Sequence, residues 1–249
     1  MDPIVVANIV TSLVGLQGLA NIFATEACVR TYGIDINEDV ITVTRQIGYT
    51  QVAKTTAPLL ILVFGMESIN SAIAYSMLPF VFGYTLDWTD GTFQTPGVSQ
   101  VFERFGVGGW LFVCVALIAS KEYNWAETMA ETATKVWFLA AASYFGILRS
   151  KPYWVVTRIF AYKRPISKGA EAWLKGYGDI GLSFVVQSLA LLNGIDPLQS
   201  IGYSWAFAAL YLFVELFVTN EWEALGVEPS KGYIWLVISL VAAHTLLSE

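Results

Sequence analysis

The chain has 249 residues, of which 55% are hydrophobic and only 14% are charged, whereas a soluble domain is usually about a quarter charged. This composition excludes a soluble globular enzyme, a disordered chain and a nucleic-acid binder with a basic face. The net charge of −6 also gives no general attraction to phosphates. The sequence therefore predicts an all-α integral membrane protein whose main partner is the lipid bilayer, with no nucleic-acid partner.

Eight apolar runs approach the roughly 20 residues that a transmembrane helix needs. The first run follows Met-Asp-Pro without a basic flank and contains Asn8, Thr11 and Gln17, so we interpret it as a retained helix rather than a cleaved secretory signal. The predicted spans, in chain order, are Ile4–Phe23, Gly48–Gly65, Ile69–Leu86, Gly106–Ser120, Thr128–Leu148, Ile180–Asn193, Leu198–Val218 and Tyr233–Leu247.

The basic residues predict the orientation of these spans. Half of the 14 Lys and Arg residues lie between the fifth and sixth spans, in the loop at positions 149–176. The positive-inside rule assigns this loop to the cytoplasm or its topological equivalent. An even number of spans then places both termini on the opposite side, together with the turns that contain Glu67 and Asp196.

The sequence also contains signs of an internal duplication. Tyr49 matches Tyr177 when the chain is shifted by 128 residues, and Gly65–Glu67 matches Gly194–Asp196 after a slip of one more residue. The eight runs divide into four and four, although chance similarity between apolar helices is the alternative. Four spans return the chain to its starting side, so we predict two parallel four-helix repeats, residues 1–120 and 121–249, related by a pseudo-two-fold axis along the membrane normal.

A polar segment inside the second span is the first candidate site. A charge such as Lys54 is costly inside a membrane and often functional. Pro58 removes a backbone donor and frees the carbonyl one turn earlier, which threonine hydroxyls could satisfy or a polar cavity could use. We predict that Gln51, Lys54, Thr55 and Pro58 bind substrate, and the alternative is a snorkelling lysine on a proline-kinked helix.

Glu67 and Asp196 form a second candidate site, because the duplication places them in matching outer turns. Two carboxylates near the axis could hold a cation, share a proton, or supply a general acid to an intramembrane enzyme with a lipid-like substrate. A glycine followed by an acid also suits a turn and a helix cap.

Glu131 and Lys135 lie four residues apart in the fifth span. This spacing puts both side chains on one helix face, in the order that favours an ion pair. We expect the pair to be structural, and a gated ion pair is the alternative.

The sequence predicts no cofactor and no metal. A single histidine, His244, and two distant cysteines, Cys28 and Cys114, exclude a His-based metal centre, a zinc site and a disulfide framework. The chain also lacks a phosphate-binding glycine loop, a D-D-x-x-D cluster and a G-x-S-x-G hydrolase motif. These absences lean away from an enzyme.

Three functions stay open. The first is a carrier for a small neutral or anionic solute, with its site between the two four-helix halves, and this is the interpretation that we follow. The second is a non-catalytic subunit of a larger membrane assembly, which would contact other subunits through the oppositely charged inner loops. The third is an intramembrane enzyme that uses Glu67 and Asp196.

Overall fold

A computed structural model describes residues 2–89, 100–120, 124–162 and 165–248, and every regular element in these ranges is a helix. Two π-helical segments span Val155–Ile159 and Val214–Val218. The α-helices are α1 (Pro3–Phe23), α2 (Thr25–Thr31), α3 (Glu38–Leu62), α4 (Ile69–Ser76), α5 (Leu78–Thr89), α6 (Gln100–Ala119), α7 (Asn124–Ser150), α8 (Pro152–Trp154), α9 (Lys168–Leu192), α10 (Pro197–Phe213), α11 (Glu221–Ala224) and α12 (Pro229–Leu247).

Short polar side chains start the main helices. Asp2 accepts a hydrogen bond from the backbone N of Ile4 at 2.8 Å and so caps α1. Asn37 and Ser167 cap α3 and α9 by accepting from the backbone N three residues later. Because these caps satisfy backbone donors that have no partner inside the helix, they fix helix starts that hydrophobicity alone does not mark.

Three helices are long and apolar enough to cross a bilayer, namely Pro3–Phe23, Pro197–Val218 and Pro229–Leu247. The other predicted spans fall short of this criterion among the described residues. The apolar part of α6 covers only Arg104–Ala119, and α3, α7 and α9 contain several charged residues.

The boundaries of three predicted spans change in the structure. The third span, Ile69–Leu86, is divided at Met77 into α4 and α5, because Pro79 supplies no N–H to continue the helix. The second and sixth spans start at Glu38 and Lys168, at least ten residues before their predicted starts. Both extensions are polar, so a search for apolar runs could not include them.

Helices α3 and α9 form the centre of the bundle and pack against each other. Helix α3 also contacts α1 and α4, α9 contacts α7 and α10, and α12 contacts both α10 and α1. Two glycines allow close approach: a Cβ at Gly48 would lie 2.7 Å from the backbone O of Gly18, and one at Gly178 would lie 2.8 Å from that of Phe145. Any larger residue at Gly48 or Gly178 would force α1 or α7 away from its neighbour.

The bundle has an apolar surface, and its interior combines a hydrophobic core with a set of buried polar side chains. Large apolar side chains, among them Leu16, Phe112, Leu139 and Leu240, are exposed on the surface. Such a surface suits contact with lipid, since soluble proteins rarely expose large continuous apolar areas. Together with the three apolar helices, it indicates a membrane protein. The interior contains a buried polar set of Thr50, Gln51, Lys54, Ser183, Gln187 and Ser204.

Candidate functional site

Lys54 lies within α3, and its ammonium is buried between α3, α9 and α10. The Nζ atom donates a hydrogen bond to Oγ of Ser183 at 2.7 Å and lies 5.2 Å from the ring centroid of Trp205. Only 7% of the residue is exposed. Among the described residues, no carboxylate oxygen lies within 4.0 Å of this Nζ. The ammonium is therefore held by a hydroxyl and an aromatic face, with no counter-charge.

A second contact joins the backbone of Lys54 to α9. Pro58 has no N–H to bond the Lys54 carbonyl one turn earlier, and the side-chain Nε2 of Gln187 donates to that carbonyl at 2.7 Å. The Thr55 hydroxyl instead bonds the Val52 carbonyl at 3.0 Å. The carbonyl freed by Pro58 is thus satisfied across the helix interface and not by a threonine of α3.

The contact at Lys54 continues into α10. The hydroxyls of Ser183 and Ser204 lie 2.8 Å apart, and the Ser204 hydroxyl also donates to the Ser183 carbonyl at 3.1 Å. A serine hydroxyl offers one donor and two acceptor positions, so Ser183 can accept from Lys54 and still donate towards Ser204. These hydrogen bonds link α3, α9 and α10 and hold the Lys54 ammonium in a fixed position between the three helices.

Lys54 and Gln51 line a cavity of about 140 Å³. Because one water needs roughly 10–15 Å³ by this measure, the cavity can hold several waters or a small ligand. Its walls come from α3, from residues 172–239 of the α9 to α12 segment, and from Val14 of α1 and Tyr32 after α2. Aromatic side chains dominate these walls, namely Tyr32, Trp173, Trp205, Tyr211, Trp222 and Trp235.

A cluster of charged residues forms another part of the cavity wall. Arg149, at the end of α7, reaches Asp179 and Glu215 at 2.9 Å each and Glu221 at 2.5 Å. Glu221 also forms an ion pair with Lys175. The second carboxylate oxygen of Glu215 accepts from the Trp222 indole at 2.8 Å. Each of the three carboxylates in this cluster therefore has a cationic partner.

Glu221 lies between α10 and α12, outside the apolar helices. Its burial alone would raise the pKa of the carboxyl, but hydrogen bonds from Arg149 and Lys175 and the charges of both residues act in the opposite direction. The balance lowers the pKa of Glu221 below its ordinary value, because the contacts favour the charged form.

The four residues of the first predicted site have different surroundings. Gln51 and Lys54 line the cavity, and Gln51 also accepts a hydrogen bond from Nδ2 of Asn21 at 2.8 Å. Thr55 packs against Gly15 of α1, where a Cβ would lie 3.2 Å from the threonine Oγ1. Pro58 is buried inside α3 and acts through the Lys54 carbonyl.

The predicted carboxylate pair lies on the surface. Glu67 and Asp196 are both exposed, and Asp196 caps α10 by accepting from the backbone N of Leu198 at 2.8 Å. Ser68, not Glu67, caps α4. Over the described part of the chain, no group of three or more His, Cys, Asp and Glu side chains is placed to hold a metal. The role of the pair as an enzyme site stays a prediction.

Glu131 and Lys135 are half-buried on α7. In the part of the chain that the structure describes, no salt bridge joins their side chains. Their pairing therefore stays a prediction.

Sequence reasoning missed several residues of the site. Ser183, Gln187 and Arg149 are not among the predicted site residues, and Arg149 lies in the basic loop at positions 149–176. One signal was present for Gln187, since a carbonyl freed by a proline within a helix needs a donor from elsewhere. Trp205 gave no signal, because a tryptophan in an apolar helix is ordinary.

Comparisons with protein-family models, with curated protein sequences and with solved structures find no match to this chain. The inference of function therefore rests on the geometry of the cavity.

Proposed function

We propose that this protein is a small-solute carrier of eight transmembrane helices, with its substrate site in the cavity at Lys54. The observation that carries the proposal is a buried ammonium that has no counter-charge among the described residues and faces a cavity between α3 and the helices α9, α10 and α12. Charged residues that face a cavity inside a membrane protein usually serve the substrate or ion pathway.

Helix length supports eight spans. Helices α3, α7 and α9 contain 25, 27 and 25 residues, which at 1.5 Å per residue gives about 37–40 Å, more than the roughly 30 Å of a bilayer core. Polar side chains in the middle of α3 and α9, such as Lys54, Ser183 and Gln187, are buried against one another, which removes the main objection to placing these two helices in a membrane. Helices α4 and α5 would cross together as one broken span.

The contacts between loops support the alternation of the spans. At the end predicted to face the cytoplasm, the Tyr162 hydroxyl donates to Asp39 at 2.6 Å, and the backbone N of Glu228 donates to the Tyr32 carbonyl at 3.1 Å. Residues predicted to lie on the other side also meet, since Asn70 donates to Glu127 at 3.1 Å. Both sets of contacts are expected of a chain that crosses an even number of times.

Equivalent features in the two halves support a duplication, at a spacing of 130 residues instead of the 128 at which Tyr49 matches Tyr177. Helices α3 and α9 have equal lengths and start 130 residues apart, and Gly48 and Gly178, which allow close packing on α1 and α7, have the same spacing. The two N-cap residues, Asn37 and Ser167, hydrogen-bond to each other at 3.1 Å. A contact between equivalent residues is the arrangement that a two-fold axis produces.

A carrier explains this arrangement better than the other two functions. Two parallel halves that rock about a shared cavity would expose it to each side of the membrane in turn. For an assembly subunit, the inner loops would be kept for partners, yet they contact each other through Asp39 and Tyr162. For an enzyme, the two carboxylates would share a site, yet Asp196 is used as a helix cap.

Uptake into proteoliposomes tests the proposal. A panel of labelled small solutes, neutral and singly anionic, should include at least one that the wild-type protein carries faster than protein-free liposomes do. Lys54→Met should abolish that uptake, whereas Lys151→Met, at an exposed position after α7, should retain it. Equal uptake by wild type and Lys54→Met, or no solute carried at all, would overturn the assignment.

A further inference from the structure

We propose that the cavity binds a small organic monoanion, a carboxylate on a flat apolar body, with the carboxylate at Lys54 and the body among the aromatic walls. This inference rests on the proposed function and names the substrate class of the same site. It follows from the charge, the hydrogen-bond donors and the aromatic walls of the cavity.

The charges around the cavity leave one position for an anion. Arg149 and Lys175 are paired with the carboxylates of the charged cluster, and on the far side of α3 Arg45 is paired with Asp87 at 3.0 Å. Lys54 has no such partner among the described residues. A buried charge without a counter-ion is costly, so a ligand anion placed beside Lys54 gains an attraction that a neutral or cationic ligand does not.

The donors beside Lys54 suit a carboxylate. Nδ2 of Asn21 donates to Oε1 of Gln51, which leaves the Gln51 amide nitrogen as the donor that this side chain can offer to a ligand. An ammonium and an amide N–H beside the same cavity match the two oxygens of a carboxylate. A cationic ligand would find no such match, since the carboxylates of the cavity are already engaged.

The aromatic walls of the cavity favour a flat apolar group as the part of the ligand that carries the carboxylate. Trp205 lies under the Lys54 ammonium and also lines the cavity, with Tyr211 and Trp235. Aromatic faces and edges pack well against a flat apolar group, and a cavity of about 140 Å³ limits the ligand to a small body. A hydrated inorganic anion would make little use of these walls.

Three probes of nearly equal shape test the charge of the ligand: benzoate, benzamide and benzylamine. Binding is measured by isothermal titration to the full-length protein in lipid nanodiscs. We expect benzoate to bind at least about tenfold more tightly than benzamide, and benzylamine to bind most weakly. Nitrate, a flat inorganic monoanion, should bind more weakly than benzoate.

Variants test whether the preference for benzoate depends on Lys54. Lys54→Met should reduce benzoate affinity at least about tenfold and leave benzamide within about twofold, whereas Lys54→Arg should retain the preference for the anion. Lys135→Met, at a half-buried lysine of α7 that does not line the cavity, should change neither affinity.

Two kinds of result would overturn this inference. Equal or tighter binding of benzamide, benzylamine or nitrate to the wild-type protein would reject the organic monoanion and leave the carrier proposal standing. No binding of any probe would also reject it. If the cavity in addition proves closed to aqueous reagents from both sides, the carrier proposal fails with it. The comparison of probes on the wild-type protein needs no variant, so a poorly folded variant cannot mask the outcome.

Discussion

Two cations near the cavity, the buried Lys54 and the partly exposed Arg149, have opposite surroundings. Arg149 is surrounded by Asp179, Glu215 and Glu221, whereas Lys54 has only a hydroxyl and an indole ring. The first arrangement links the end of α7 to the middle of α9 and to the segment after α10, and it gives each carboxylate a cationic partner. The second leaves the charge of Lys54 to be neutralised by a bound anion. The comparison separates a residue that holds the helices together from a residue that is available to a ligand.

The largest expected effect comes from removing the paired cation. Arg149→Met would leave three carboxylates close together, and breaking a buried ion pair on one side costs about 3–5 kcal/mol. We expect the free energy of unfolding in detergent to fall by about this amount. Arg158→Met, at an exposed arginine, is the matched control and should have little effect. Equal stability of the two variants would remove the structural role of Arg149.

A smaller effect is expected at the carbonyl that Pro58 frees. Gln187→Leu leaves the Lys54 carbonyl without its donor, which costs about 1–3 kcal/mol of unfolding free energy. Pro58→Ala restores the backbone N–H, so Gln187→Leu should cost clearly less in a Pro58→Ala background. A double-mutant cycle measures this coupling, and purely additive effects would contradict the role given to Gln187.

Lys54→Met should behave in the opposite way to Arg149→Met. Because the substitution removes a buried charge that has no counter-ion, we expect the free energy of unfolding to stay the same or to rise by less than about 1 kcal/mol. Thermal unfolding of the detergent-solubilised protein measures it. A large loss of stability would show that Lys54 is structural, and the comparison with Arg149 would then fail.

The smallest effect is a dependence on pH from Glu221. Its pKa is lowered in the folded protein, so its contribution to stability is present above the ordinary pKa of 4.5 and is lost as the pH falls through the folded value. Glu221→Gln should therefore be less stable than the wild type at neutral pH. Its free energy of unfolding should also change less as the pH falls into the acidic range. Glu223→Gln, at an exposed glutamate nearby, should keep the wild-type pH profile, and identical profiles for both variants would contradict the assignment.

The sequence carries the helical class and the approximate positions of the helices, because apolar runs and N-cap residues are local features. It marks the starts of α3 and α9 only through their N-cap residues, Asn37 and Ser167. Residues 38–47 and 168–179 mix charged with apolar side chains, so a search for apolar runs does not find them. The break at Met77 has a local cause in Pro79, which the search for apolar runs did not weigh.

Only the part of the candidate site that lies on α3 could be predicted from the sequence. Lys54 and Gln51 interrupt an apolar run and so are visible in the sequence, and Pro58 indicates that the carbonyl of Lys54 lacks its usual donor. Their partners, Ser183 and Gln187, are 129 and 133 residues away in the chain. Only the packing of α3 on α9 brings them together, and nothing local encodes that contact.

The central claim is that the cavity at Lys54 opens to water on both sides of the membrane in turn. The most direct measurement is labelling of Ser239→Cys, at a cavity position on α12, in a protein with Cys28→Ser and Cys114→Ala, by an anionic membrane-impermeant methanethiosulfonate. Leu240→Cys, exposed on the apolar surface, is the control.

The account predicts that Ser239→Cys reacts when the reagent is added from either side in sealed vesicles of opposite orientation, and that Leu240→Cys reacts from neither. Labelling of Ser239→Cys from one side only, or from neither, would contradict the carrier.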